Sequence, residues 1–301
     1  MHILVIRPGA IGDTLLTFPV IQALKTHWHA SHVTLVGNAA VLLLAQAYGI
    51  ADEISNFESA QWSALFSDNP IHAPWLRTQL RDIDAAICWL RDPDGIVERN
   101  LRANGINHVI IAPGRPPAGE HIHEVAYLAR TVGLAIDISS YALSKQESTA
   151  SHSTSEPFIA IHPGSGGAQK CWPVRHFATV IRELWQRSIP VLLLAGPADH
   201  KRLQELLYLL PEPANTPLLH TLIDAPLLPL AQKLHGCKGY LGNDSGITHL
   251  AAMLRVPTVA IFGPSDPAIW HPIGSCARVV HKPALEDVSP EQVLREFTCR
   301  C

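Results

Sequence analysis

Short, uninterrupted apolar runs constrain this chain more than any other feature. They occupy His2–Arg7, Val33–Val36, Ala85–Leu90 and Val109–Ile111 in the first half. In the second half they occupy Phe158–His162, Val191–Ala195, Leu218–Ile223, Gly239–Leu241 and Thr258–Phe262. A strand with one face in water alternates apolar and polar residues, whereas a strand apolar throughout is buried on both faces. The segments between the runs are long enough for helices that cover those faces, so the pattern predicts an α/β fold with parallel sheets. A chain of 301 residues, 47% hydrophobic and 16% charged, can bury a sizeable core and has room for two domains.

The stretch from Ser144 to Pro157 is polar, rich in Ser and Thr and without apolar period, and it reads as a linker. It divides the chain into domains at 1–150 and 151–301, each restarting with a strand, a turn and a helix. The last helix opens at Ser289-Pro290-Glu291-Gln292. Ser289 is the expected N-cap, Pro290 the first helical residue and Gln292 the reciprocal capping partner. This helix can pack back across the linker onto the first half.

Several classes are set aside. No apolar run is long enough for a spanning helix, and the N-terminus reads as a strand, not a signal peptide. The net charge of −3 gives no argument for nucleic acid. Six scattered cysteines without a secretion signal point to reduced thiols in the cytoplasm. Cys299-x-Cys301, His27-x-His29 and Glu120-His121-Ile122-His123-Glu124 each have ligand-like spacing, but none gathers enough further ligands, so no metal is expected.

Three turns carry the chemistry. The first, Pro8-Gly9-Ala10-Ile11-Gly12-Asp13, follows the opening strand and enters a helix. It lacks the G-x-G-x-x-G pattern, and the second strand ends Val36-Gly37-Asn38 without the acid that would hold a ribose, which argues against a nicotinamide dinucleotide site. Asp13 reads either as a first-turn acid favoured by the helix dipole or as a base facing a ligand. The second turn, Pro163-Gly164-Ser165-Gly166-Gly167-Ala168-Gln169-Lys170, follows the strand of the second half and carries a lysine. The third, Gly242-Asn243-Asp244-Ser245-Gly246, opens the helix that continues Ile247-Thr248-His249. Free N–H groups and the positive end of a helix dipole form an anion site. Together with Lys170 they suggest a bound diphosphate. Lys170 also reads as a solvated lysine before a buried Trp172, and Asp244 as a cap, alone or along with a ligand role.

Taken together, Gly12-Asp13, Lys170-x-Trp172-Pro173, Asp244-Ser245-Gly246-x-x-His249-Leu250 and Gly263-Pro264-Ser265-Asp266-Pro267 resemble glycosyltransferase family 9, the bacterial heptosyltransferases. Order and spacing match over nearly the whole chain. The resemblance implies a GT-B fold, two Rossmann-like parallel-sheet domains facing across a cleft. The first would bind the acceptor and the second the nucleotide-sugar donor. It implies an inverting enzyme without a metal or other cofactor, moving heptose from ADP-L-glycero-D-manno-heptose, a substrate, to a lipopolysaccharide inner-core acceptor.

The same resemblance makes Asp13 the general base. It assigns Ser165, Gly166 and Lys170, with Asp244, Ser245, Gly246, Ile247, Thr248 and His249, to the donor. Arg7 and Gly12, beside the first turn, are assigned to the anionic acceptor. Asp266 reads as a loop-shaping residue or a cap, and Asp199 as a candidate ribose contact. Trp62, Phe66 and Trp75 form an apolar stretch that reads as packing or as a contact with the acceptor's lipid surroundings. The expected partners are the donor and the acceptor, with no nucleic acid. The protein is expected to be a monomer that works at the cytoplasmic face of the inner membrane and associates transiently with its surface. The rival readings are a GT-B transferase or epimerase for another nucleotide sugar, and a nucleotide-sugar-binding protein without catalysis.

Overall fold

A computed structural model describes residues 1–68, 74–144, 158–210 and 218–298. The chain divides into two compact units, Met1–Ile138 and Ser139–Cys301. The expected boundary at 150/151 and most of the expected linker lie outside the described residues. Just before them, the Leu143 N–H donates to the Met253 carbonyl at 2.7 Å, within the second unit.

The first unit holds strands β1 (His2–Ile6), β2 (His32–Gly37), β3 (Glu53–Asn56), β4 (Ala85–Trp89) and β5 (His108–Ala112). Its helices are α1 (Ile11–Leu15), α2 (Phe18–His27), α3 (Ala39–Ala47), α4 (Pro74–Leu80), α5 (Ile96–Ala103) and α6 (Glu124–Thr131). The strands pair in parallel in the order β3-β2-β1-β4-β5. β4 is buried at every residue and β1 at every residue but its first, as unbroken hydrophobicity requires.

The second unit holds β6 (Phe158–His162), β7 (Val191–Ala195), β8 (Leu219–Ile223), β9 (Cys237–Asn243), β10 (Thr258–Phe262) and β11 (Ala277–His281). Its helices are α7 (Val174–Gln186), α8 (His200–Leu209), α9 (Leu227–Leu234), α10 (Gly246–Met253), α11 (Pro267–Trp270) and α12 (Pro290–Thr298). This sheet is also parallel, in the order β11-β10-β9-β6-β7-β8.

Both sheets therefore reverse direction beside their first strand, between β1 and β4 in one and between β6 and β9 in the other. In open parallel sheets the crevice beyond the carboxyl ends of the strands at such a reversal is where ligands bind. The first and second turns leave β1 and β6, and the third leaves β9, so all three stand at these reversals.

Two strands escape the sequence reading. β3 and β11 are edge strands, half-buried or exposed along most of their length, and their sequences carry no continuous apolar run. The capping box of α12 forms as expected. Gln292 N–H donates to Ser289 Oγ at 3.3 Å, and Ser289 N–H donates to Gln292 Oε1 at 3.0 Å. The apolar face of α12 packs within the second unit, where Val293 joins a core that includes Trp172, Phe177 and Ile261.

Candidate active site

In the first unit the chain leaves β1 at Ile6, and Arg7 then turns its side chain inward. Arg7 is only 5% exposed. Its Nη2 donates to Gly114 O at 2.7 Å, to Glu124 Oε1 at 3.0 Å and to Asp13 Oδ1 at 3.2 Å. Asp13 lies in the single turn of α1, and its Oδ2 accepts the Ala10 N–H at 2.8 Å. Gly9 makes this fit possible. Its φ is +139°, and a Cβ there would lie 2.7 Å from Asp13 Oδ2. Arg115, largely exposed on the segment after β5, reaches Asp13 Oδ1 at 3.5 Å.

Glu124 stands out in sequence only as the end of a ligand-spaced stretch, not as a neighbour of Asp13. It opens α6 and is wholly buried. Trp89 at the end of β4 ties this helix to the sheet by donating from Nε1 to Thr131 Oγ1 at 2.9 Å. Burial pushes the Glu124 carboxyl up to about 7, with the Asp13 charge adding to the rise and Arg7 and Arg115 opposing it. Burial also draws the Arg7 pKa down against the pull of its two carboxylates. A guanidinium starts so high that it stays charged.

Arg7, expected from its place beside the first turn to meet the acceptor, is turned inward here. Its Nη atoms are committed to internal partners, and it serves as the counter-ion of two buried carboxylates. Arg115 is the arginine that approaches Asp13 from solvent.

In the second unit the parallel pairing of β6 with β9 sets the second and third turns side by side. Lys170 Nζ meets Asp244 Oδ2 at 2.6 Å, and Ser165 Oγ donates to Asp244 O at 2.6 Å. Ser245 caps α10, accepting the Thr248 N–H, and Thr248 Oγ1 donates to Asn243 O at 2.5 Å. The first-turn amides of Gly246 and Ile247 stand at the positive end of this helix. Thr248 and His249 are buried one turn in. The donor residues expected from sequence therefore converge, with Ser165, Lys170, Asp244 and Ser245 in one hydrogen-bonded neighbourhood. The Lys170–Asp244 pair shows that Asp244 is an internal counter-charge for the lysine.

Asn243 and Trp172, which lie within the sequence motifs, and Arg202, which carried no sequence signal, hold this neighbourhood in place. Asn243, fully buried, donates from Nδ2 to Pro163 O at 2.8 Å and Gly164 O at 3.1 Å and accepts the Trp172 N–H at 2.9 Å. Arg202 donates to Pro163 O and to Trp172 O. Trp172, fully buried, anchors the turn to the core and donates from Nε1 to Val288 O at 3.0 Å. Behind the turns lies His162, with Nε2 3.0 Å from Asp199 Oδ2 and Nδ1 3.4 Å from Ser245 Oγ.

Asp199, a candidate ribose contact in sequence, is buried beneath the second turn. Gly164 passes so close that any Cβ there would collide with the Asp199 carboxylate. Burial alone would raise the Asp199 pKa, but the hydrogen bond and charge of His162 and the Gly196 N–H outweigh it, and the net direction is down. Asp266 caps α11, accepting the Ala268 N–H at 2.8 Å.

Trp62 is buried, donates to Ser55 Oγ at 2.9 Å and packs edge-on against Trp75 at 5.3 Å, so these two indoles are packing residues. Phe66 is 43% exposed. Among the described residues, the His/acid group close enough to share an ion is His2, His32 and Glu53, whose ligand-capable atoms lie within 4.8 Å of one another. It sits at the amino ends of the strands, at the far end of the sheet from Asp13. Cys299 and Cys301 lie outside the described residues. No described helix is long and apolar enough to cross a membrane.

Two Rossmann-like parallel-sheet units, each with its polar cluster at the reversal of strand order, are the build of the GT-B fold class. A model of glycosyltransferase family 9 (heptosyltransferase) matches residues 103–295, and the chain belongs to that family. Lipopolysaccharide heptosyltransferase 2 of Salmonella typhimurium is 30% identical over 163 residues, which cover 48% of this chain and 47% of that protein. The chain thus spans about half the length of this curated relative. A lipooligosaccharide heptosyltransferase 2 of Campylobacter jejuni is 19% identical over 319 residues, covering 99% of this chain and 98% of the relative. The fold is that of E. coli ADP-heptose lps heptosyltransferase II, with a TM-score of 0.77 at 23% identity, covering 99% of this chain and 98% of that one. It is also that of E. coli heptosyltransferase WaaC with ADP, with a TM-score of 0.72 at 19% identity and 99% of each chain covered.

Proposed function

We propose that this protein transfers heptose from ADP-L-glycero-D-manno-heptose to a lipopolysaccharide inner-core acceptor, with inversion at the anomeric carbon. The observation that carries this reading is the junction of the second and third turns. There a lysine, a serine hydroxyl and the first-turn amides of α10 gather at the switch point of a parallel sheet in a family 9 chain. Such a site suits a diphosphate. The likeness in fold to E. coli heptosyltransferase WaaC with ADP supports adenine as the base.

In the proposed reaction the acceptor oxygen attacks C1 of the heptose while its proton passes to Asp13. The bond from C1 to the diphosphate oxygen breaks, and its electron pair leaves with ADP. Lys170 and the amides of Gly246 and Ile247 stabilise the charge that grows on the leaving group. They fill the place a metal takes in other transferases, so the reaction is proposed to need none. Carboxylates in general are ionised at neutral pH and can accept a proton late in such a step. Work at the cytoplasmic face of the inner membrane, with transient association and a monomeric enzyme, belongs to the same proposal.

The test is a panel of ADP-, UDP- and GDP-linked sugars, read by thermal shift and then by transfer to an inner-core acceptor. The reading expects stabilisation by ADP-heptose and ADP. Preference for a UDP- or GDP-sugar overturns the donor assignment, and binding without transfer points to a protein that holds nucleotide sugars without catalysing.

A further inference from the structure

Glu124 presents an unexplained charge. It is wholly buried, and only one of its oxygens is engaged, Oε1 with Arg7 Nη2 at 3.0 Å. Oε2 is buried with no hydrogen-bond partner among the described residues. A buried carboxylate with an unsatisfied oxygen is costly, and one that survives calls for a reason. Neutralising Arg7 is not reason enough, since Asp13 Oδ1 already lies 3.2 Å from the same nitrogen. Glu124 is also the first-turn acid of α6, where the helix dipole favours a negative charge, but that role does not require burial against Arg7.

We propose that Glu124 is a positioning residue for proton transfer at Asp13, acting through Arg7. This rests on the reading of Asp13 as the base. While Asp13 is ionised, Glu124 shares the guanidinium and keeps it from pairing with Asp13 alone. When Asp13 takes the acceptor's proton it becomes neutral. Arg7 would then be a buried cation without a counter-charge, the most costly arrangement of a broken ion pair. Glu124 supplies that counter-charge at the moment the acceptor oxygen bonds to C1 and the diphosphate departs. The proton moves only from the acceptor hydroxyl to Asp13, and Glu124 stays ionised throughout the step.

The charged and titratable groups facing Glu124 are Arg7 after β1, Asp13 in α1, Arg115 after β5 and Tyr127 in its own helix. His123 precedes it as the N-cap of α6. Burial holds the Glu124 carboxyl near 7, so its charge is lost over the mildly acidic range where an isolated glutamate would keep it. Turnover should fall over the same range.

The experiment is turnover against pH, from about 5.5 to 9, for the full chain and for Glu124→Gln and Asp13→Asn, with ADP binding measured in parallel. The wild type is expected to show an acid limb centred near neutrality. Glu124→Gln is expected to lose that limb and run roughly ten- to hundredfold slower at pH 8, with donor KM and ADP affinity within about twofold. Wild-type kcat and an intact limb in Glu124→Gln, beside an inactive Asp13→Asn, overturn the role of Glu124 and leave the base in place. An active Asp13→Asn overturns the base itself, whatever Glu124 does. Should Glu124→Gln fail to fold, Glu124→Asp, which keeps the charge on a shorter stem, answers the question. An acid limb that moves with the changed carboxylate supports the proposal, and a limb at the wild-type position overturns it.

Discussion

Lys170 Nζ lies 2.6 Å from Asp244 Oδ2, joining two turns 74 residues apart across neighbouring parallel strands. The pair sets the lysine beside the amino end of α10 and gives it a counter-charge before any ligand arrives. Replacing Lys170 with Ala should weaken ADP binding by about 1–3 kcal/mol, the worth of a charge-assisted contact. Calorimetric titration with ADP checks this, and an unchanged affinity would remove the diphosphate from this junction.

Asp13 is held by Arg7 on one oxygen and by the Ala10 N–H on the other. Its loss should leave the second unit, and so donor binding, untouched. Asp13→Ala is expected to keep ADP affinity and to lose turnover by roughly a hundredfold to ten-thousandfold, the usual share of a general base. Turnover within a few-fold of wild type would assign the proton elsewhere.

Glu124 also links stability to pH. Its folded value of about 7 lies above the ordinary glutamate value, so between the two the folded protein keeps a proton that the unfolded chain has released. Its contribution is therefore greatest below about pH 4.5 and falls as pH rises to about 7, by roughly 3 kcal/mol in all. Glu124→Gln cannot titrate, so the variant's stability relative to wild type should improve on going from pH 5 to pH 8. Urea unfolding of both proteins at the two pH values measures this, and an equal difference at both would contradict it.

Asn243 serves three backbone groups of the second turn at once. Asn243→Ala leaves two carbonyls and one N–H buried without this partner, which should cost about 2–4 kcal/mol. Chemical denaturation reads the loss directly. A change below about 0.5 kcal/mol would mean that the turn is held by Arg202 and Trp172 alone.

Much of the site was legible in sequence because its signals are local. The glycines after β1 and β6, the lysine before Trp172 and the serine that caps α10 each act on residues within a few positions. The box at Ser289 and Gln292 is of the same kind. Glu124 carried no such mark. In sequence it is one acid among several in a stretch of mixed charge, and the last residue of a His-rich run with ligand-like spacing. Its place in the first turn of α6 favours a negative charge, but the arginine it pairs with lies 117 residues away.

The sequence by itself determined the α/β class, the parallel sheets and the three turns, because a run of residues apolar on both faces can be satisfied only inside a covered sheet. Tertiary structure alone decided which turns became neighbours. Strand order places β9 beside β6 and β4 beside β1, and no local pattern specifies that order. It also decided that Arg7 is the counter-ion of Asp13 and Glu124. Charge pairing depends on what lies within a few ångströms in space, and here the partner comes from a helix more than a hundred residues away.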